Sequence, residues 1–189
     1  MRNFSPAMLK TFEKSKELFK EKYIENIPEI QLSSNFETGK RLHALACSYL
    51  NGEDIKKLEK SLTSKEVTLW NNLKKTYYFS LEPVKTEYDI SVKLGNYRIG
   101  GRLDALLKDN NNKYFIVDYK TGQIPKNPSY DYQTMVYLLC VDRLIKNYEE
   151  ISFVYLGLSD GKEEIVKFNE SLKAEYEKRI LNLCSQIKI

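Results

Sequence analysis

The chain has 189 residues, 42% of them hydrophobic and 30% charged, the make-up of one globular domain spanning residues 1–189 and not of a disordered or fibrous chain. Its longest apolar run, Met135 to Val141, is far too short to span a bilayer. The opening "MRNFSPAMLKTFEKSKELF" lacks the apolar stretch of a signal peptide, so no membrane partner and a cytoplasmic location are expected. A net charge of +4 and a pI near 8.7 permit a polyanionic partner without requiring one.

In chain order, the first predicted element is a helix over residues 5 to 24, with Ser5 as N-cap and Pro6 in the first position. Leu9, Phe12, Leu18, Phe19 and Tyr23 supply its apolar positions, and "IPEIQLSS" ends it. A second helix, about 36 to 50, carries "FETGKRLHALACSYL" and stops at Asn51-Gly52. A third, about 53 to 76, alternates charged and apolar residues and is mostly solvated. The period then changes from helical to alternating: Tyr88, Ile90, Val92 and Leu94 take turns with Glu87, Asp89, Ser91 and Lys93, a half-buried strand. Gly95-Asn96 is a two-residue hairpin signal, "YRIGGRLDALL" the return strand, "KDNNNK" the next turn and "YFIVDYK" a third strand, closed by Thr121-Gly122. An apolar helix over 130 to 147, strands "ISFVYLGL" and "EEIVKF", and a closing helix over 170 to 187 complete the chain. The closing helix carries the stripe Leu172, Tyr176, Ile180, Leu183 and Ile187. This order predicts a mixed sheet flanked by helices.

Register turns three acids into a group. If Gly95-Asn96 is the turn, Leu94 faces Tyr97 and Glu87 faces Asp104; a second hairpin centred on Asn111 sets Asp104 opposite Asp118. Lys120, two residues on, shares the face of Asp118. A bulge at Gly100-Gly101 that shifted the register by one residue would scatter the row. Facing carboxylates repel and raise one another's pKa, so the row calls for a cation; carboxylate oxygens suit magnesium or manganese. Spacing alone leaves the alternative of strand-end acids facing solvent and paired with Arg98 and Arg102. His43, the one histidine, lies mid-helix with Gly39 four residues before it, which clears space above the ring; it is a structural histidine or the last metal ligand. Gln133 and Tyr137 lie four apart on one face of an apolar helix, either at its rim or partnered inside.

Taken in order, "GKRLH" (39–43), Glu87, "GRLD" (101–104), "DYKTG" (118–122) and "QTMVY" (133–137) resemble the motifs of the RecB-like branch of the PD-(D/E)XK nucleases. "FSPAMLKTFEKSKELFKEKYIENIP" is similar to the opening segment of that family. The resemblance implies a restriction-endonuclease-like αβββαβ core and a metal-dependent phosphodiesterase. It implies Mg2+ or Mn2+ on His43, Asp104, Asp118 and the Tyr119 backbone carbonyl, with Glu87 as a second-metal or water-mediated ligand. Asp104, Asp118 and Lys120 would be catalytic, and Gln133, Tyr137, Thr121 and Arg102 would bind DNA or support the site. Many relatives carry a cysteine-proline pair where this chain has Ser15-Lys16, and hold an iron–sulfur cluster on four thiolates. Cys47, Cys140 and Cys184 are three, far apart and without a CxxC pair, so no such cluster, zinc site or disulfide framework is expected, and the thiols should be free and buried. The terminal segments must then be joined by packing.

The expected function is a deoxyribonuclease, an exonuclease of DNA repair or recombination or of phage-type DNA processing, with a helicase or recombination protein as possible partner. The alternatives are the same fold gripping nucleic acid or a helicase without cutting, and an RNA-directed nuclease.

Overall fold

The computed structural model describes residues 3–27 and 34–187, and within them the first predicted helix is two. Ser5 caps α1 (Pro6–Lys14) by accepting from the Met8 amide, and Pro6 stands in its first turn. Ser15 then takes an extended backbone and its side chain accepts from the Leu18 amide, capping α2 (Lys16–Tyr23). A short hydroxyl side chain that bonds the backbone ahead of it ends one helix by starting the next. Most of "IPEIQLSS" lies outside the described residues. α3 (Ser34–Leu50) bears His43, and the predicted third helix is also split, into α4 (Lys56–Lys60) and α5 (Ser64–Lys74). There Thr63 and Glu66 form a reciprocal capping box that restarts the chain.

β1 (Asn3–Phe4), β2 (Glu82–Leu94), β3 (Tyr97–Lys108), β4 (Lys113–Lys120), β5 (Glu150–Gly157) and β6 (Glu163–Lys167) form one sheet, in the order β1-β3-β4-β5-β6 with β2 on β3. β1 was not foreseen, since two residues carry no period. α6 (Tyr132–Leu144) joins β4 to the parallel β5, and α7 (Glu170–Gln186) follows β6. The run α3-β2-β3-β4-α6-β5 is the predicted αβββαβ core, a mixed sheet with helices on both faces.

Both hairpin registers hold. Leu94 pairs with Tyr97 and the pairing continues through Tyr88↔Leu103 and Thr86↔Ala105, while β4 meets β3 from Lys108↔Tyr114 to Ala105↔Val117. Gly100 and Gly101 hold no bulge; they pair with Ser91 and Ile90, and the register shift lies instead between Pro83 and Lys85. The glycines serve close approach: a Cβ on Gly100 would come within 2.1 Å of the Ile90 carbonyl oxygen. Tyr88, expected inside, is exposed.

The sheet is buried on both faces. On one, Ile90, Val92, Ile99, Ile116 and Phe153 pack against α1, α2, α6 and α7; on the other, Ala105, Leu107, Val117, Tyr119 and Val154 pack against α3 and α5. That double cover explains why β4 and β5 read as apolar runs without alternation. The α7 stripe is inside as expected, Leu172 partly and Tyr176, Ile180, Leu183 and Ile187 fully.

Candidate active site

One edge of β3 is taken by β2 along nearly its whole length; the other is shared, with β1 at Arg98–Ile99 and β4 from Ala105 to Lys108. Residues 100 to 104 lie between these two partners. Side chains fill the space: Tyr137 of α6 donates its hydroxyl to the Arg102 carbonyl at 2.8 Å, and Asp104 Oδ2 accepts the Tyr119 amide at 2.9 Å. The ladder between β3 and β4 thus stops one pair short of Asp104 and Asp118, and a carboxylate takes over the next amide. The pairing of β3 with β4 ends there and leaves the site open.

Around that opening the predicted residues gather in two connected groups. In the first, His43 Nδ1 lies 3.3 Å from Asp104 Oδ1 and 3.8 Å from Glu87 Oε1, while its Nε2 is 3.0 Å from the Tyr119 carbonyl oxygen. His43, Glu87 and Asp104 each offer a ligand atom, all within 4.8 Å of one another, a set able to hold a metal ion. Glu87 reaches it from a backbone φ of +44°, a left-handed conformation that costs a non-glycine residue energy and interrupts the ladder at that point. In the second group, Lys120 Nζ lies 2.8 Å from Asp118 Oδ2 and donates to Gln133 Oε1 at 2.9 Å, and Gln133 Nε2 donates to Asp118 Oδ1 at 2.7 Å. Asp131, the N-cap of α6, fixes the start of that helix by accepting the Gln133 amide. It was not singled out from sequence, although an aspartate just before an apolar helical run is a capping signal.

Charge follows geometry. Burial works against the His43 cation, but the hydrogen bond and charge of Asp104, with the Tyr119 carbonyl and Asp118, push its pKa up to about 9. Burial first, and the Asp104 charge second, raise the Asp118 carboxyl, against the pull of Lys120 and His43. Burial and Asp104 likewise raise Glu87. Asp118 is only 5% exposed, which removes the reading of a solvated strand-end acid. Its Oδ2 is buried against the Lys120 ammonium, 2.8 Å away. Arg98 and Arg102 do not neutralise the three acids by ion pairing: Arg98 bonds Ser91 Oγ and Arg102 bonds Asp89. Gly39, expected to make room for the His43 ring, makes room for Thr121, whose Oγ1 would lie 3.3 Å from a Cβ there. Thr121 and Arg102 border a cleft of about 630 Å3 with His43 and Glu87, and a second cleft of about 380 Å3 holds Arg102, Gln133, Tyr137 and Lys10. Cys140 and Cys184 are buried free thiols, while Cys47 is half-buried and donates to Thr86.

A hard divalent cation suits these donors: carboxylate oxygens, a peptide carbonyl and one imidazole. Sheet, opening and donors define a restriction-endonuclease-like fold with a metal-competent site. The family model of the PD-(D/E)XK nuclease superfamily matches residues 54–188, more than two thirds of the chain, and the chain belongs to that superfamily. The matched stretch contains Glu87, Asp104, Asp118, Lys120, Gln133 and Tyr137 and begins after His43. Among solved structures, a protein of Eubacterium rectale described as "Putative exonuclease" is 11% identical with a TM-score of 0.58, over 99% of this chain and 83% of its own. Another, SSO0001, is 16% identical over 99% of this chain and 77% of its own; at a TM-score of 0.47 that likeness carries no argument. No curated protein matches the sequence significantly. Among the described residues no helix is long and apolar enough to cross a membrane.

Proposed function

We propose that the chain is a divalent-metal-dependent deoxyribonuclease of the RecB-like branch, acting as an exonuclease in DNA repair, recombination or phage-type DNA processing. The observation that carries this reading is the junction, where the pairing of β3 with β4 ends, of the His43–Glu87–Asp104 group with the closed Asp118–Lys120–Gln133 triangle. The branch assignment rests on His43 and Gln133, which add a helix on each side to the acidic pair and lysine of the strands. The exonuclease part agrees with the description of the Eubacterium rectale protein.

In this reading His43, Asp104, Asp118 and the Tyr119 carbonyl hold Mg2+ or Mn2+, with Glu87 as a further ligand. The ion, when bound, polarises the attacking water and offsets charge on the phosphate. Lys120 orients that water and stabilises the negative charge that develops at phosphorus, from a position fixed by Asp118 and Gln133. Tyr137 holds the Arg102 carbonyl and so the backbone of β3 at the opening. Arg102 and Thr121 face the strand from the cleft wall.

The test offers linear duplex, circular duplex and single-stranded DNA to the purified protein with magnesium, manganese or chelator. Linear DNA should shorten with either metal, circular duplex should stay intact, and chelator should stop all cutting. Asp118→Asn and Lys120→Ala should each abolish cutting while the thermal transition persists. Cutting at the parental rate by either variant would overturn the assignment, and no cutting in either metal would leave a nucleic-acid-gripping module.

A further inference from the structure

Arg102 and Asp89 stand directly opposite one another on β3 and β2. The guanidinium grips the carboxylate at two points, Nε to Oδ1 at 3.3 Å and Nη2 to Oδ2 at 3.0 Å. Both side chains are open to water, 59% and 74% exposed. Such a pair is screened and weakly held. It lies two residues along the same strands from Glu87 and Asp104, a rise of roughly 7 Å on a regular strand. Arg102 also borders both clefts: with His43, Glu87 and Thr121 on one side, and with Lys10, Gln133 and Tyr137 on the other.

A DNA strand entering this site brings a row of negative phosphates towards Glu87, Asp104 and Asp118. A cation must receive it, and a guanidinium fork meets two phosphate oxygens in the geometry with which it meets two carboxylate oxygens. We infer that Asp89 stands in for a backbone phosphate: it holds the Arg102 fork in place, and a phosphodiester of a single DNA strand running between the two clefts displaces it. This rests on the nuclease reading and assigns the strand's path and the contact that grips it. Lys10, the other cation of the second cleft, is paired with Asp131 by a single contact at 2.9 Å. Asp131 also caps α6, so removing it would disturb the helix; Asp89 has no such second duty and can be tested cleanly.

The experiment measures binding of a fluorescent single-stranded oligonucleotide by anisotropy, in chelator so that the strand stays intact, to the full chain and three variants. Asp89→Asn should bind about two- to fivefold tighter, the worth of an exposed ion pair no longer competing. Arg102→Ala should bind about tenfold weaker, and its slope of log affinity against log salt should flatten by about 0.7, the share of one phosphate contact on a single strand. In the double variant, Asp89→Asn should give no gain over Arg102→Ala. An equal gain in both backgrounds would mean that Asp89 acts by general repulsion, and would overturn the inference, as would no gain in the wild-type background. Magnesium-dependent cutting by the wild type, followed in parallel, separates the two claims. Cutting without coupling between Asp89 and Arg102 removes the inference alone; coupling without cutting in any metal keeps the Asp89 role and removes the nuclease.

Discussion

His43 carries two hydrogen-bond acceptors on its two nitrogens, the Tyr119 carbonyl and Asp104, and is thereby held as a cation in the metal-free protein. A metal ligand must be neutral imidazole, so the ion and the proton compete for the same ring. With a pKa raised from 6.5 to about 9, the sign is determined: the His43–Asp104 interaction stabilises the fold fully below pH 6.5 and is lost as pH rises through 9. In chelator, the urea-unfolding free energy should therefore fall between pH 7 and 9, and His43→Gln should remove that fall. The apparent affinity for manganese should move the opposite way, rising over the same interval. A wild-type stability curve level from pH 7 to 9 would show that the ring is not charged in this site. None of this was legible from the residue alone, because a mid-helix histidine with a glycine one turn before it is equally a packed structural residue. The partners that charge it come from β3 and β4, far off in sequence.

Elements were legible where a period of several residues marked them, as in β2, β3, α6 and α7, and the two hairpin turns fixed registers that hold from Lys85 to Leu94 and from Ala105 to Lys108. What escaped were the breaks made by single side chains: Ser15 and Thr63 cap new helices without altering the apolar period around them. The glycines of β3 left two readings open for a related reason, since a glycine in a strand marks a bulge or a close approach and only the neighbour decides which. For Gly101 the neighbour is α6: a Cβ there would lie 2.8 Å from the Tyr137 hydroxyl and 3.4 Å from Pro6 Cδ. Gly101→Ala should cost about 1–3 kcal/mol by overpacking and push Tyr137 away from the Arg102 carbonyl. Tyr137→Phe removes the atom in closest conflict, so in that background the same alanine should cost distinctly less. Denaturant unfolding of the four proteins reads this coupling; strict additivity would mean that β3 and α6 do not meet through this pair.

At the scale of the whole molecule, the site was legible as a set of residues and not as a set of contacts. The linear motifs gave Glu87, Asp104, Asp118, Lys120 and Gln133. They could not show that the acids divide into two groups, or that Lys120 is held from two sides. That division depends on where β1 and β4 leave the edge of β3 open, which no local pattern encodes. The joining of the chain's two ends is likewise a tertiary matter. α7 lies against α1 and α6 through a polar tie and an apolar stripe. In the tie, Arg179 Nη2 is 3.1 Å from Glu13 Oε1, which also accepts the Tyr132 hydroxyl, and the guanidinium lies over the rings of Tyr130 and Tyr132. In the stripe, Tyr176 and Ile180 are wholly buried. Magnitudes favour the stripe. Truncating a buried isoleucine costs about 2–5 kcal/mol once the cavity is included, while a part-exposed ion pair contributes about 1 kcal/mol or less and each cation–π contact about 0.5–1 kcal/mol. Ile180→Ala should accordingly lower the unfolding free energy by more than Arg179→Ala, and nuclease activity should fail at the lower denaturant concentration at which that variant unfolds. If Arg179→Ala proved the more damaging, the ends of this chain would be held by the charged tie, and the apolar stripe would be secondary to it.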